Sequence, residues 1–114
     1  MTLDRLKKEI RRFADERDWN QFHSPKNLAM AMSVEAAEVV EIFQWMTEVE
    51  SKKLSGPKKS MLEEELADTY IYLLKIAEHY HIDLISAARR KLKKTALKYP
   101  ISKSRGSNKK YNEL

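Results

Sequence analysis

A chain of 114 residues with 42% hydrophobic and 34% charged side chains has room for one domain with a modest core. Only 2 glycines and 3 prolines argue against a turn-rich β fold, and the lack of cysteine excludes a disulfide framework or a thiolate metal site. No apolar run reaches the ~18 residues of a membrane span, and MTLDRLKKEIRR lacks the apolar centre of a secretory signal, so no membrane partner and a cytoplasmic location are expected.

The first predicted helix covers roughly residues 2–17, where Leu3, Leu6, Ile10, Phe13 and Ala14 recur at three- and four-residue steps. Asp18 to His23 breaks that pattern and reads as a loop. Ser24-Pro25 then signals a helix start, with serine as N-cap and proline in the first turn. The second helix is expected from Pro25 to Met46. It is apolar almost all round, through Leu28, Met32, Val34, Val39, Val40, Ile42, Phe43 and Trp45, and such a helix is buried on most sides. Residues 47–58 read as a polar loop closed by Gly56-Pro57. A third helix follows over about 59–80. Its early Glu63, Glu64 and Glu65 suit the positive end of the helix dipole. Asp83 caps a fourth helix over about 84–98, which Pro100 stops, and the remainder reads as loop or tail. The expected architecture is all-α: a four-helix bundle in one domain over 1–114, with a basic tail at 100–114. The apolar second helix implies completion by oligomerisation.

Charge is unevenly spread. Residues 1–88 carry 12 Lys+Arg against 16 Asp+Glu, whereas 89–114 carry 10 against a single acid. Such a basic end can be a solvated or nucleic-acid-binding arm. It can also fold over an acidic site and neutralise a polyphosphate there. The acidic first 88 residues count against nucleic acid as the partner.

Glu35 and Glu38 stand three apart inside the apolar second helix, and Glu65 and Asp68 repeat that spacing on the third. Residues so spaced share a face. Helices joined by a short loop pack as antiparallel neighbours, so the two pairs can meet. Acidic pairs of this kind are common on solvent-facing helices with lysine partners. Here, however, no basic residue lies between Asn27 and Ser51. Each unpaired carboxylate in a helical interface costs several kcal/mol, about 3–5 when a partner is missing. A divalent cation removes that penalty, and Mg2+ takes oxygen ligands and leaves positions for phosphate oxygens. Glu41 is at most a helper, and Glu63 and Glu64 read as surface residues. Trp45, at i+7 from Glu38, is placed on the same face roughly 10 Å along the axis, about the reach from a nucleotide's phosphates to its base. Tyr72, at i+4 from Asp68, and the loop residues Trp19, Phe22 and His23 add aromatic surface. Singly these are ordinary core residues; together they can form a slot for a stacked base. A di-iron carboxylate bundle needs two Glu-x-x-His motifs, and the only such spacing runs from Glu78 to His81, at a helix end where His81 reads as a C-terminal cap.

With those residues in hand, the chain resembles the all-α nucleoside triphosphate pyrophosphohydrolases of the MazG type, and more closely their dCTP pyrophosphatase branch. The matching stretches are FADERDWNQFHSPKNLAMAMSVEAAEVVEIFQW, EEELADTYIYL, KYP and SRGSNKKY. Val34 stands where the broad signature has its first glutamate, which suits the dCTP branch, and Thr95 stands where the family often has asparagine. The resemblance implies Mg2+, with Mn2+ as a substitute, on Glu35, Glu38, Glu65 and Asp68. It implies base and sugar contacts from Trp19, His23, Trp45 and Tyr72. It further implies phosphate contacts from Lys91 and the Ser104-Arg105-Gly106 segment, and a homotetramer built as a dimer of dimers. The expected reaction is hydrolysis at the α-phosphate to a monophosphate and pyrophosphate, a house-cleaning of the nucleotide pool, with Glu38, aided by Glu35, orienting or deprotonating the water.

Overall fold

The starts of all the α-helices but the last are fixed by short polar caps. In a computed structural model describing residues 1–114, Thr2 Oγ1 accepts from Arg5 N–H at 3.2 Å to open α1 (Leu3–Glu16). Ser24 Oγ accepts from Asn27 N–H at 3.2 Å to open α2 (Pro25–Phe43), with Pro25 in the first turn. The one-turn α3 (Glu48–Ser51) carries a full capping box between Thr47 and Glu50. Ser55 opens α4 (Gly56–His79), and Asp83 opens α5 (Leu84–Lys98). A second one-turn helix, α6 (Ile101–Ser104), follows Pro100, and 3₁₀ turns lie at Asn20–Phe22 and Tyr111–Glu113. There are no strands, so the all-α expectation holds.

Several boundaries differ from the sequence expectation. The second helix stops at Phe43 instead of Met46, because Thr47 is already extended (φ −72°, ψ 163°) as the cap of α3. Trp45 therefore sits in a turn, off the helical face that was to carry it. Gly56-Pro57 does not close a loop: it forms the first turn of α4, since Ser55 caps it as Ser24 caps α2. The stretch after Pro100 is not structureless either. Gly106, at φ 73°, turns the chain, and the Tyr111 ring meets Tyr99 edge-on at 6.1 Å with Lys98 Nζ 4.7 Å from its centroid. At the end of α4 the cap is Tyr80, and His81 follows in the left-handed region at φ 54°.

The chain divides into two compact units, Met1–Tyr80 and His81–Leu114. In the first, α2 packs on α4 as the principal helix pair. Ile42 and Met61 border one cleft, Glu38 and Glu65 converge midway, and Leu28 and Lys75 border another cavity, so the helices run antiparallel. The core is small: Ala14, Leu28, Ile42, Leu74 and Ala77 are buried. Many large apolar side chains stay exposed, Val34, Val40 and Leu66 among them in the first unit, and Leu92, Leu97 and Ile101 in the second. No helix is long and apolar enough to cross a membrane.

Candidate functional site

The antiparallel packing of α2 on α4 brings three of the expected carboxylates together. Glu35, Glu38 and Glu65 each place one oxygen so that all lie within 4.8 Å of one another. Glu35 Oε2 and Glu65 Oε2 are buried with no hydrogen-bond partner. No lysine or arginine is ion-paired with any of the three. Like charges this close cannot all remain ionised without compensation. The hydrogen bond with Glu38 and burial push the Glu65 carboxyl up to about 7, and Glu35 adds to the rise. Burial, then Glu38, raises Glu35 as well, while sharing a proton with Glu65 and Glu35 lowers Glu38. Acceptor-only oxygens, two of them orphaned, are the donor set that a hard divalent cation takes. Asp68 is outside the trio and exposed, although its charge reaches Glu35 and contributes to that group's rise.

Asp68 instead lines a cavity of about 360 Å³ with Phe13, Trp19, His23, Tyr72 and Lys75. The chain reaches this arrangement through the end of α1. Asp18 adopts the left-handed conformation at φ 53°, its N–H donates to Asp15 O at 3.1 Å, and Trp19 N–H donates to Ala14 O at 3.0 Å. That pair of bonds is a Schellman motif, which turns the chain and packs the following residue on the helix's last turns. Trp19 accordingly meets the Phe13 ring edge-on at 5.6 Å and His23 at 6.1 Å. Asn27 Nδ2 donates to Phe22 O at 3.0 Å and ties the loop to α2. Burial, reinforced by the charge of Lys75, lowers the His23 imidazole below its ordinary range. Its Nδ1 is buried without a partner.

A further cleft of about 410 Å³ opens beside the trio, lined by Glu38, Glu41, Ile42, Lys58, Met61 and Glu65. Lys58 and Lys75 were not singled out from sequence, though Lys75 stands at i+7 from Asp68 on the same face of α4. Trp45 lies outside these cavities and is 89% exposed. Lys91 on α5, Ser104 at the end of α6 and Arg105 just after it belong to the second unit. Ser104 Oγ is buried there without a partner.

A sequence model of the MazG-like family matches residues 30–114. A protein named dCTP pyrophosphatase 1 from Mus musculus is 41% identical over 115 residues, spanning 99% of this chain and 68% of that protein. Its Homo sapiens counterpart is 39% identical over the same shares. Among solved structures, a pyrophosphatase from Archaeoglobus fulgidus matches with a TM-score of 0.81 and 41% identity, covering 86% of this chain and 92% of that one.

Proposed function

This chain belongs to the MazG-like family, and on that premise we propose that it is a nucleoside triphosphate pyrophosphohydrolase acting on a dCTP-like deoxynucleotide, with Mg2+ as its cofactor and Mn2+ as a substitute. The observation that carries the reading is the meeting of Glu35, Glu38 and Glu65 beside an aromatic cavity that Asp68 joins to them. The residues fit a divalent cation: one buried carboxylate oxygen each of Glu35 and Glu65 lacks a partner, and no lysine or arginine is paired with the trio. Glu35, Glu38 and Glu65 would hold it, with Asp68 at the margin. When bound, a divalent cation offsets the negative charge of the phosphates and acidifies water.

The chain's own residues supply the rest. Glu38 and Glu65 both border the trio and the neighbouring cleft. We assign Glu38 to orient a water and take its proton, supported by Glu35, because of the three it alone is drawn below the ordinary carboxylate range. The water oxygen forms a bond to the α-phosphorus. The bond from that phosphorus to the α,β-bridging oxygen breaks, and pyrophosphate leaves with the electron pair. Trp19, His23 and Tyr72 provide the surface for base and sugar. Trp45 keeps its expected base contact only if partner subunits or substrate cover its exposed ring. Lys91, Ser104 and Arg105 are assigned to the phosphates, where positive charge offsets what develops on the leaving group. We read residues 1–114 as one functional domain in a cytoplasmic homotetramer, a dimer of dimers. Support comes from the apolar side chains left in solvent, such as Val40 at 57% and Leu97 at 84% exposure.

Incubation of the purified protein with dCTP and Mg2+, followed by separation of products, tests the reading. dCMP and pyrophosphate are expected in equal amounts. Appearance of dCDP and single phosphate, or full activity in Glu38→Gln, would overturn it.

A further inference from the structure

The far end of the aromatic cavity carries a cation that the reaction above does not use. Glu65, Asp68, Tyr72 and Lys75 run along one face of α4. At ~1.5 Å per residue, Lys75 lies roughly 10 Å beyond Asp68. If phosphates sit at the carboxylate end, the base comes to Lys75.

Lys75 is not spent on its neighbours. Glu78 is held by Arg11 Nε at 2.7 Å, and Asp15 accepts from the Asn20 side-chain amide. Neither forms an ion pair with Lys75, whose side chain lines both the aromatic cavity and an adjoining one of about 290 Å³. Burial pulls its ammonium below the ordinary lysine range, against the opposing pull of Glu78 and Asp15. An ammonium offers three donors and no acceptor. Beside it, Nδ1 of His23 is buried without a partner, and burial with the charge of Lys75 draws that imidazole below its ordinary range. Both residues line the same cavity, so a flat heterocycle stacked near Trp19 meets a strong donor at its edge.

We propose that Lys75 is the base-selecting residue of this enzyme, its ammonium donating to the adjacent acceptors O2 and N3 of a cytosine edge. Thymine and uracil keep the O2 acceptor but present an N3–H donor beside it, so the ammonium loses one of its two bonds and faces a donor in its place. A site that must hydrogen-bond its substrate discriminates against analogues lacking the partner far better than an apolar slot does. The inference rests on the proposed function and adds the specificity determinant to it.

Steady-state kinetics on dCTP and dTTP with wild type, Lys75→Met and Lys75→Arg test the assignment. Lys75→Met should raise KM for dCTP ~10–100-fold, the worth of a hydrogen bond to a charged group, with kcat little changed. The KM for dTTP should move much less, so the preference for cytosine shrinks, and Lys75→Arg should keep most of it. An equal loss on both substrates, or an unmoved KM for dCTP, overturns the assignment. Calorimetric titration of the chelated protein with dCMP and dTMP separates failures. If wild type releases no pyrophosphate, the proposed function falls, while tighter binding of dCMP than dTMP, lost in Lys75→Met, still sustains the role of Lys75. Should Lys75→Met fail to fold, Lys75→Gln replaces it under the same outcomes, and wild-type binding of dTMP as tight as dCMP overturns the inference without any variant.

Discussion

The aromatic cavity and the acidic trio share the helix α4 but are built on opposite principles. The aromatic wall of the cavity is held by contacts within the chain. A Schellman turn fixes Trp19, ring edges meet Phe13 and His23, and Arg17 lies 3.7 Å over the Phe13 ring. The trio is unsatisfied, with three carboxylates within 4.8 Å and two orphaned oxygens. One region adds stability and waits for a flat ligand, whereas the other subtracts stability and waits for positive charge. Substitutions should therefore separate the two: at the trio activity falls while the metal-free fold holds or gains, and at the cavity fold and substrate affinity fall together.

The largest effect is expected at Glu38. Glu38→Gln should lower kcat by ~10²–10⁴, the usual worth of a positioned general base. In EDTA its melting temperature should equal or exceed that of wild type, because a crowded carboxylate becomes a neutral amide whose oxygen still accepts a hydrogen bond. A marked drop in the chelated melt would erase the contrast. Next comes Trp19→Ala, which should raise KM for dCTP ~10–100-fold, since a stacked base is worth about 1–3 kcal/mol. It should also lower stability by about 1 kcal/mol through the lost ring pair, as read from urea unfolding.

pH then distinguishes the trio from ordinary surface carboxylates. Glu65 is raised to about 7 from 4.5, so folding favours its protonated form. That contribution is complete below about 4.5 and is lost as pH rises through about 7. Glu35 is raised in the same sense, and Glu38 is lowered and opposes it below the carboxylate range. The chelated protein should melt lower at pH 8 than at pH 5.5, and Mg2+ should restore most at the higher pH. A chelated melt that rises over this interval contradicts the crowding of the trio. The smallest effect belongs to Asp18, at φ 53°. Asp18→Gly should stabilise by up to about 1 kcal/mol, because glycine takes the left-handed conformation without strain. Scanning calorimetry would show it, with KM for dCTP unchanged if Trp19 keeps its place.

Much of this was legible in the residues. The spacing of Glu35, Glu38 and Glu65 in segments poor in cations already placed them on facing surfaces, and three of four do converge. Asp68, three residues beyond Glu65 on the same face of α4, lies next to the trio and lines the cavity, where its charge still reaches Glu35. Trp45 continued the apolar pattern of α2, but a capping box is a local hydrogen-bond contest. Thr47 and Glu50 win it and end the helix early. The Ser55-Gly56-Pro57 stretch carried the same start signal as Ser24-Pro25 and was hidden by reading Gly-Pro as a break. Two features were out of reach. The Schellman turn uses aspartate where glycine usually announces it, and Lys75 resembles a surface lysine until Glu78 and Asp15 are seen to have other partners.

The most direct test of the central claim is hydrolysis of dCTP in ¹⁸O-labelled water with Mg2+, with products resolved by mass spectrometry. Attack at the α-phosphorus beside the trio predicts one labelled oxygen in dCMP and unlabelled pyrophosphate. Label in pyrophosphate or in released phosphate would contradict it.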